Sequence, residues 1–188
     1  MEYYISQSPI RVLSFKELKK EEAQIYYDWY VNECETRIML LNKRINEDTK
    51  CVLDYSVESL KKIWEWFENI IVFEELSEED YMIKLEEYPE WMHPYISKKR
   101  ISTETLIYGL DIAIYFAEVI IRNNSGIHWG YYTKPKNRAS VNQPVLLGFK
   151  SDMEMNPREI VVNCIRSLGN EKDNNALFDL YSIWKEFI

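Results

Sequence analysis

Turn-forming residues are scarce in this sequence, and their scarcity favours long helices over many short strands. Of 188 residues only 5 are glycine and 6 are proline, whereas aromatic residues make up 14%. Folds built from many short strands need frequent turns, and glycine and proline are prominent among the residues that form them. The length suits one domain with a sizeable core. We therefore expect one mainly helical domain over residues 1–188.

Cysteine and histidine are also scarce. The three cysteines, Cys34, Cys51 and Cys164, form no CxxC motif, and the two histidines, His93 and His128, form no HxxxH or HExxH motif. This pattern predicts reduced thiols in a reducing compartment, with no metal site and no cofactor. The N-terminus lacks a basic region followed by an apolar run, which predicts no secretory signal and a cytoplasmic protein.

Positive charge is in deficit, which argues against one broad class of function. Lysine and arginine total 23, aspartate and glutamate total 31, and the net charge is −8. A uniformly basic nucleic-acid binder is thus disfavoured, and we expect no nucleic-acid partner. The motifs GxSxG, GxGxxG and GxxxxGK[ST] are absent, so no catalytic residue is assigned from them. The sequence does not indicate an oligomeric state.

The most apolar stretch predicts a central buried helix. Two apolar stripes run side by side along it, and a helix apolar over so much of its circumference belongs inside a domain. Asp111, Glu118 and Arg122 interrupt the run before it reaches the roughly 18 residues that a membrane span needs, so we expect no membrane association. The stripes consist of Leu106, Leu110, Ala113, Ala117 and Ile120, and of Ile107, Ile114 and Ile121.

A third line on this helix is polar, and a β-hairpin follows the helix. Asn123 to Gly126 end the helix, Ile127, Trp129 and Tyr131 alternate as in a half-buried strand, and residues 143–149 supply the returning strand. Residues 102–149 are therefore predicted to form the central helix plus a β-hairpin. The polar line consists of Tyr108, Asp111, Tyr115, Glu118 and Arg122.

The N-terminal half predicts a long helical hairpin over residues 15–75. Ser14 and Glu17 have the spacing of a capping box, which places the start of the first helix at Phe15. An apolar seam extends this helix to Ile45, and Ser56 is placed to cap the second helix. Residues 1–12 read as an edge strand or as a segment packed on the core. The seam consists of Tyr27, Val31, Cys34, Ile38, Leu41 and Ile45.

The C-terminal part predicts two helices within residues 157–187. Asn156 and Pro157 combine a capping residue with a first-turn proline, Gly169 is placed to end that helix, and the last helix is expected to start at Asp173 or Asn174. These elements together predict an α+β fold, mainly α: a helical bundle around one central buried helix with a small antiparallel β-sheet.

An acidic helix and loop are expected over residues 76–101, with Ser77 as the helix cap. Residues 74–90 hold eight acidic side chains and one lysine, a local net charge of −7. Such a run is typical of a solvated face. Alternatively, because aromatic side chains are interleaved with the charges, it forms a recognition surface for a basic protein. The candidate partner-binding residues are Glu78, Glu79, Asp80, Glu86, Glu87, Glu90 and Trp91.

A second candidate site lies beside the central helix. Asp111 and Glu118 share one helix face and are capable in principle of acid–base work, with His128 and Trp129 on the following strand as further lining residues of a pocket. The structural alternative has Glu118 in an ion pair with Arg122, four residues further on, and His128 as a satisfied structural histidine.

The residues 115–120 (YFAEVI), Trp129, the segment 142–146 (NQPVL) and Asn156-Pro157 together resemble uncharacterised bacterial proteins, some associated with toxin–immunity systems. The resemblance covers residues 102–188 and brings no catalytic residue. It implies a non-enzymatic cytoplasmic protein-binding protein, such as an immunity protein that masks a basic toxin domain through an acidic surface. The alternative is a small enzyme whose pocket is lined by Asp111, Glu118, His128 and Trp129.

Overall fold

The computed structural model describes residues 3–4, 6–168 and 173–188. Within them the chain forms mainly helices, together with four strands of three residues each. The α+β, mainly α, fold class is therefore confirmed. The helices are α1 (Lys20–Thr49), α2 (Ser59–Glu68), α3 (Glu78–Glu86), α4 (Thr103–Asn123), α5 (Pro157–Ser167) and α6 (Ala176–Lys185), and the strands are β1 (Phe73–Glu75), β2 (Lys99–Ile101), β3 (His128–Gly130) and β4 (Val145–Leu147).

Helix α4 is the central helix, as predicted. The Ser102 hydroxyl caps it by accepting a hydrogen bond from the backbone N–H of Thr105 at 3.1 Å. Helices α5 and α1 pack on α4 most extensively, and α2 also contacts it. Among the described residues, no helix has both the length and the apolar character needed to cross a bilayer. Seven side chains of α4 are buried with at most 1% of their surface exposed: Ile112, Ala113, Tyr115, Phe116, Ala117, Val119 and Ile120.

Much of the polar line of α4 faces the protein interior. Tyr108, Asp111 and Tyr115 are buried, whereas Leu110 in the apolar stripe is only half-buried. The Tyr115 hydroxyl accepts from the backbone N–H of Tyr55 at 3.0 Å and lies 2.6 Å from the Ser59 hydroxyl. Asp111 and Tyr115 tolerate burial because the segments packed against α4 supply hydrogen-bond partners.

The predicted start of the first helix was wrong. Ser14 makes no capping hydrogen bond, and only a single turn of 3-10 helix, Phe15–Glu17, follows it. Helix α1 begins at Lys20, where the Glu22 carboxylate accepts from the backbone N–H of Lys19 at 2.8 Å. It continues beyond Ile45 and ends at Thr49, because Lys50 adopts the left-handed conformation with φ 60°.

Helix α2 follows a turn started by Ser56, whose hydroxyl accepts from the backbone N–H of Ser59 at 3.2 Å. The Trp66 indole N–H donates to the Asp48 carboxylate at 3.0 Å, which joins α2 to α1. The most extensive contacts of α2 are nevertheless with α6, followed by α1 and α4. Helix α2, the expected hairpin partner of α1, therefore packs on both α1 and α6.

The strands form two separate antiparallel ribbons. Strands β3 and β4 are the predicted hairpin, with Trp129 opposite Leu146, and Leu146 also bridges to Met155. Strands β1 and β2 were not predicted, because Phe73-Glu74-Glu75 shows no alternation of apolar and polar residues. This second ribbon encloses residues 73–101, which we call the acidic arm.

The C-terminal helices begin largely as predicted. The Asn156 side chain accepts from the backbone N–H of Glu159 at 3.3 Å, and Pro157 is the first residue of α5. Helix α6 begins at Ala176, slightly later than predicted, after a turn in which the N–H of Ala176 donates to the Asp173 carbonyl at 3.1 Å. Gly169, the predicted end of α5, lies outside the described residues.

Two glycines at the base of the β3–β4 ribbon allow the close approach of its two chain segments to be tested by substitution. Gly126 and Gly148 both have a positive φ, but a Cβ on Gly148 would lie 2.2 Å from the Gly126 carbonyl oxygen, whereas a Cβ on Gly126 would meet no atom within 4 Å. We expect Gly126→Ala to lower the free energy of unfolding by about 1 kcal/mol through backbone strain. Gly148→Ala should lower it clearly more, because the backbone must also move. Urea unfolding of both variants measures the difference, and equal costs would contradict the close approach.

Candidate functional site

The acidic arm leaves the helical core between α2 and α4. At its base the backbone N–H of Ser102 donates to the Val72 carbonyl at 3.0 Å, and the Val72 N–H donates to the Thr105 hydroxyl at 2.9 Å. Strands β1 and β2 form its stem, with Phe73 opposite Ile101. No residue of α3 is buried. The arm is therefore attached at a defined point while most of its helix remains accessible.

Helix α3 is positioned by its cap and by contacts on one side. The Ser77 hydroxyl accepts from the backbone N–H of Asp80 at 3.0 Å, as predicted. The Tyr81 hydroxyl donates to the Ile96 carbonyl at 3.2 Å, and the Lys84 ammonium donates to the Ser97 carbonyl at 2.9 Å. These two side chains hold one side of α3 against the chain that returns to β2.

The opposite side of α3 is exposed and combines acidic with apolar side chains. Met82 is 59% exposed and Ile83 is 55% exposed. Glu79 and Glu86 lie three or four residues before and after them, so all four side chains share one helix face. We call Glu79, Met82, Ile83 and Glu86 the outer face of α3. Met82 and Ile83 were not predicted as part of the site, although the four residues have the spacing i, i+3, i+4 and i+7.

The acidic candidates divide into paired and unpaired groups. Lys98 neutralises Glu78 at 2.9 Å, and Arg100 neutralises Glu74 at 3.0 Å. The Asp80 carboxylate accepts from the Ser77 hydroxyl at 2.9 Å. No ion pair within the described part of the chain involves the exposed carboxylates of Glu79, Glu86, Glu87 and Glu90.

Aromatic side chains project beside these unpaired carboxylates. Trp91 is 73% exposed and Tyr95 is 83% exposed, and both belong to the 3-10 helix Glu90–Tyr95. Tyr88, just before this helix, is also exposed. Soluble proteins rarely leave several large apolar side chains exposed close together unless they meet a partner. The arm thus presents aromatic and aliphatic anchors within negative charge.

Asp111, from the second predicted site, is held in a buried ion pair. The Arg37 guanidinium of α1 donates two hydrogen bonds to its carboxylate, at 2.8 and 2.5 Å, and the Tyr3 hydroxyl donates a third. Burial raises the pKa of Asp111, and these contacts oppose the rise. Arg37 also donates to the Tyr4 carbonyl. Both oxygens of Asp111 are therefore occupied by structural partners.

The N-terminal segment takes part in this arrangement. The Tyr3 ring lies 4.5 Å from the Tyr108 ring, and the Arg37 guanidinium lies 5.2 Å from the Tyr3 ring centroid. Tyr3 and Tyr4 form no strand in the described structure, so of the two predicted alternatives the packed segment is observed. Arg37 was not predicted as the partner of Asp111, although it is a charged residue next to the apolar Ile38 of the α1 seam.

The other three candidates do not converge on Asp111. The Trp129 indole N–H donates to Glu118 at 3.0 Å, and Arg122 pairs with the same carboxylate at 3.4 Å, as the structural alternative expected. His128 is exposed and its Nδ1 lies 2.9 Å from the Gly126 carbonyl oxygen. A hydrogen bond joins Glu118 to Trp129, and none within the described residues joins either of them to Asp111 or His128, so the four-residue pocket stays a prediction.

Asp111 instead lines a different cleft, of about 110 Å³, between α1 and α4. We call it the α1–α4 cleft. Its lining residues were not predicted from the sequence as a group, although Tyr26, Trp29 and Tyr30 have helical i, i+3, i+4 spacing. A larger groove of about 490 Å³ lies between α5 and α6 and is lined mainly by apolar side chains and Cys164. Neither contains Glu118, His128 or Trp129 among its lining residues.

The cysteines and potential metal ligands show no reactive cluster. Cys34, Cys51 and Cys164 are free thiols. Burial raises the pKa of Cys34 to about 12 and that of Cys164 to about 11, so both thiols are protonated at neutral pH. Within the described ranges, no group of three or more histidine, cysteine or acidic side chains is arranged to hold a metal ion.

Comparison with known proteins gives no relative from which a function can be transferred. No family model, no curated protein and no solved structure matches this chain. A function for this chain must therefore be inferred from its own geometry.

The Arg37–Asp111 pair generates a stability prediction. Arg37→Met or Asp111→Asn should each lower the free energy of unfolding by about 3–5 kcal/mol, because each leaves the other polar group buried without its partner. The double variant Arg37→Met/Asp111→Asn should lose less than the sum, since it buries no charge. Denaturant unfolding of the three variants gives the coupling between the two sites.

Glu118→Gln is a matched control on the same helix, because its partner Arg122 is half exposed. It should change stability by no more than about 1 kcal/mol. Single variants of Arg37 and Asp111 that cost no more than this control would show that the buried pair does not stabilise the fold.

Proposed function

We propose that this chain is a non-enzymatic, cytoplasmic protein-binding protein that engages a basic partner through its acidic arm. In its most specific form, it is an immunity protein that masks a basic toxin domain. The observation that supports this best is the outer face of α3, where Met82 and Ile83 are exposed between the unpaired carboxylates of Glu79 and Glu86.

The composition of the arm suits a protein partner better than a merely solvated surface. A solubilising face needs charge alone, whereas this one adds the exposed rings of Trp91 and Tyr95. Interfaces favour aromatic anchors surrounded by polar groups that exclude water. The carboxylates supply long-range attraction, which accelerates association with a positively charged surface. The partner is therefore expected to carry basic residues around an apolar centre.

The arm is also suited to recognition because its surface contributes little to the fold. The outer face of α3 buries no side chain, so its residues are free to meet a partner without rearrangement of the core. The free state of Cys34, Cys51 and Cys164 is consistent with the proposed cytoplasmic location, since thiols remain reduced there.

The first test reverses charge on the arm. Glu79→Lys combined with Glu86→Lys should leave the melting temperature nearly unchanged, because exposed charges contribute at most about 1 kcal/mol each. The same double variant should associate more slowly with the partner and show a weaker dependence on salt. The partner is captured from the native host at low and moderate salt, and its association rate is then measured with purified proteins.

The control variant, Glu21→Lys with Glu35→Lys, makes the same change in net charge at exposed positions on α1. The proposal expects a basic partner that binds the wild type and this control but not the arm variant. Equal binding by all three proteins would place the interaction elsewhere. Loss of binding in both double variants would attribute it to net charge rather than to the acidic arm.

A second test separates the apolar anchors from the charges. Trp91→Ala should increase the dissociation rate while changing the association rate little, because apolar contacts form after electrostatic encounter. At an interface anchor the loss of affinity is expected to be about tenfold or more. An unchanged dissociation rate would remove Trp91 from the interface.

The immunity function needs its own readout. The captured partner is expressed alone and together with this chain in the same host, and growth is compared. Growth arrest by the partner that wild type relieves, and that the Glu79→Lys/Glu86→Lys variant does not, is the expected result. A harmless partner would leave the binding function in place and exclude the immunity function.

A further inference from the structure

The α1–α4 cleft has walls suited to a flat apolar group. Tyr26, Trp29 and Tyr30 of α1 form one wall, with the Tyr26 and Trp29 ring centroids 5.4 Å apart and the Tyr26 and Tyr30 rings stacked at 6.3 Å. Leu110 and Ile114 of α4 belong to the opposite wall. A cavity of about 150 Å³ holds one benzene ring. The cleft, at about 110 Å³, is smaller than that cavity, but it is open to solvent, so a ring between its walls need not be fully enclosed.

The carboxylates that line the cleft already have partners. Asp111 accepts hydrogen bonds from Arg37 and Tyr3, and Glu33 accepts one from the Ser6 hydroxyl at 2.5 Å. The charge of Arg37 is balanced by Asp111 in the buried pair. As hydrogen-bonding groups they therefore offer little further capacity to a ligand, although Glu33 has no ion-pair partner among the described residues and keeps its negative charge.

In contrast to the carboxylates, three side chains that line the cleft carry hydrogen-bond donors without a described partner. Arg158, in the first turn of α5, makes no ion pair or hydrogen bond with any residue that the structure describes, and its guanidinium carbon lies 6.0 Å from the centroid of the Phe15 ring. The hydroxyls of Tyr26 and Tyr30 likewise donate to no described residue. Burial raises the pKa of both tyrosines, and the nearby charge of Arg158 lowers it. One guanidinium and two phenols are thus grouped at the same cleft.

From this arrangement we propose that the α1–α4 cleft binds a small aromatic carboxylate, with its ring between α1 and α4 and its carboxylate on Arg158 and the hydroxyls of Tyr26 and Tyr30. Unpaired donors and one cation select an anion, and the planar guanidinium matches a carboxylate in a two-bond arrangement. The aromatic wall selects a ring over a bare anion. The site involves neither the acidic arm nor its partner, so it stands independently of the proposed function.

Ligand-observed NMR and calorimetry with benzoate and phenylacetate test this proposal on the full chain. Benzamide has the same ring but no charge, and inorganic phosphate has charge but no ring. We expect the two acids to bind, with benzamide and phosphate each weaker by about tenfold or more. No binding of either acid up to about 10 mM, or equal binding of benzoate with benzamide or with phosphate, would overturn the proposal.

Variants then locate the binding. Arg158→Gln should weaken benzoate binding by about tenfold or more and leave benzamide binding unchanged, because only the charge-assisted contact is lost. Tyr30→Phe should weaken benzoate binding less, while the ring wall stays in place. Arg166→Gln on the same helix is the control, since Arg166 is exposed and bonds to Asn163. Thermal melting confirms that each variant is folded. A benzoate affinity that is unchanged in Arg158→Gln, or lowered equally in Arg166→Gln, would place the anion elsewhere and refute the assignment.

Discussion

The structure depends on the burial of α4. A helix that is apolar around most of its circumference must be covered by other elements, and any polar group on it then needs a partner inside the protein. Asp111 obtains that partner from Arg37 on α1, and Tyr115 from Ser59 on α2. These contacts supply hydrogen bonds to the buried polar groups of α4. They also restrict how α1 and α2 can be placed against it. The N-terminal segment is held by the same group through Tyr3 and Tyr4.

The acidic arm follows a different physical rule. It is inserted between α2 and α4, is joined at Val72, Ser102 and Thr105, and carries no buried residue on α3. A surface that contributes few core contacts can combine charge with exposed apolar groups at little cost in stability, because packing does not constrain it. The stabilising core and the proposed recognition surface therefore lie in separate parts of the chain.

The two candidate binding regions also have opposite electrostatic character. On the arm, Lys98 and Arg100 neutralise the carboxylates nearest the stem, and the unpaired charges that remain are negative. In the α1–α4 cleft Asp111 is paired with Arg37 and Glu33 accepts a hydrogen bond from the neutral Ser6 hydroxyl, whereas the cation Arg158 makes no ion pair or hydrogen bond with any described residue. The net charge of −8 describes neither region, because local pairing decides which charges remain available to a ligand.

The sequence by itself determined the central helix, the β3–β4 hairpin, the caps at Ser77 and Asn156 and the Glu118–Arg122 pair, because each depends on residues close together in the chain. It gave the wrong start for α1, since the Ser14 capping pattern competed with an equally local solution at Lys19. Only the tertiary structure decided that Asp111 meets Arg37, that α2 packs chiefly on α6, and that Arg158 lies at the aromatic wall of α1. Those contacts join residues far apart in sequence, and local periodicity carries no information about which distant face a helix will meet.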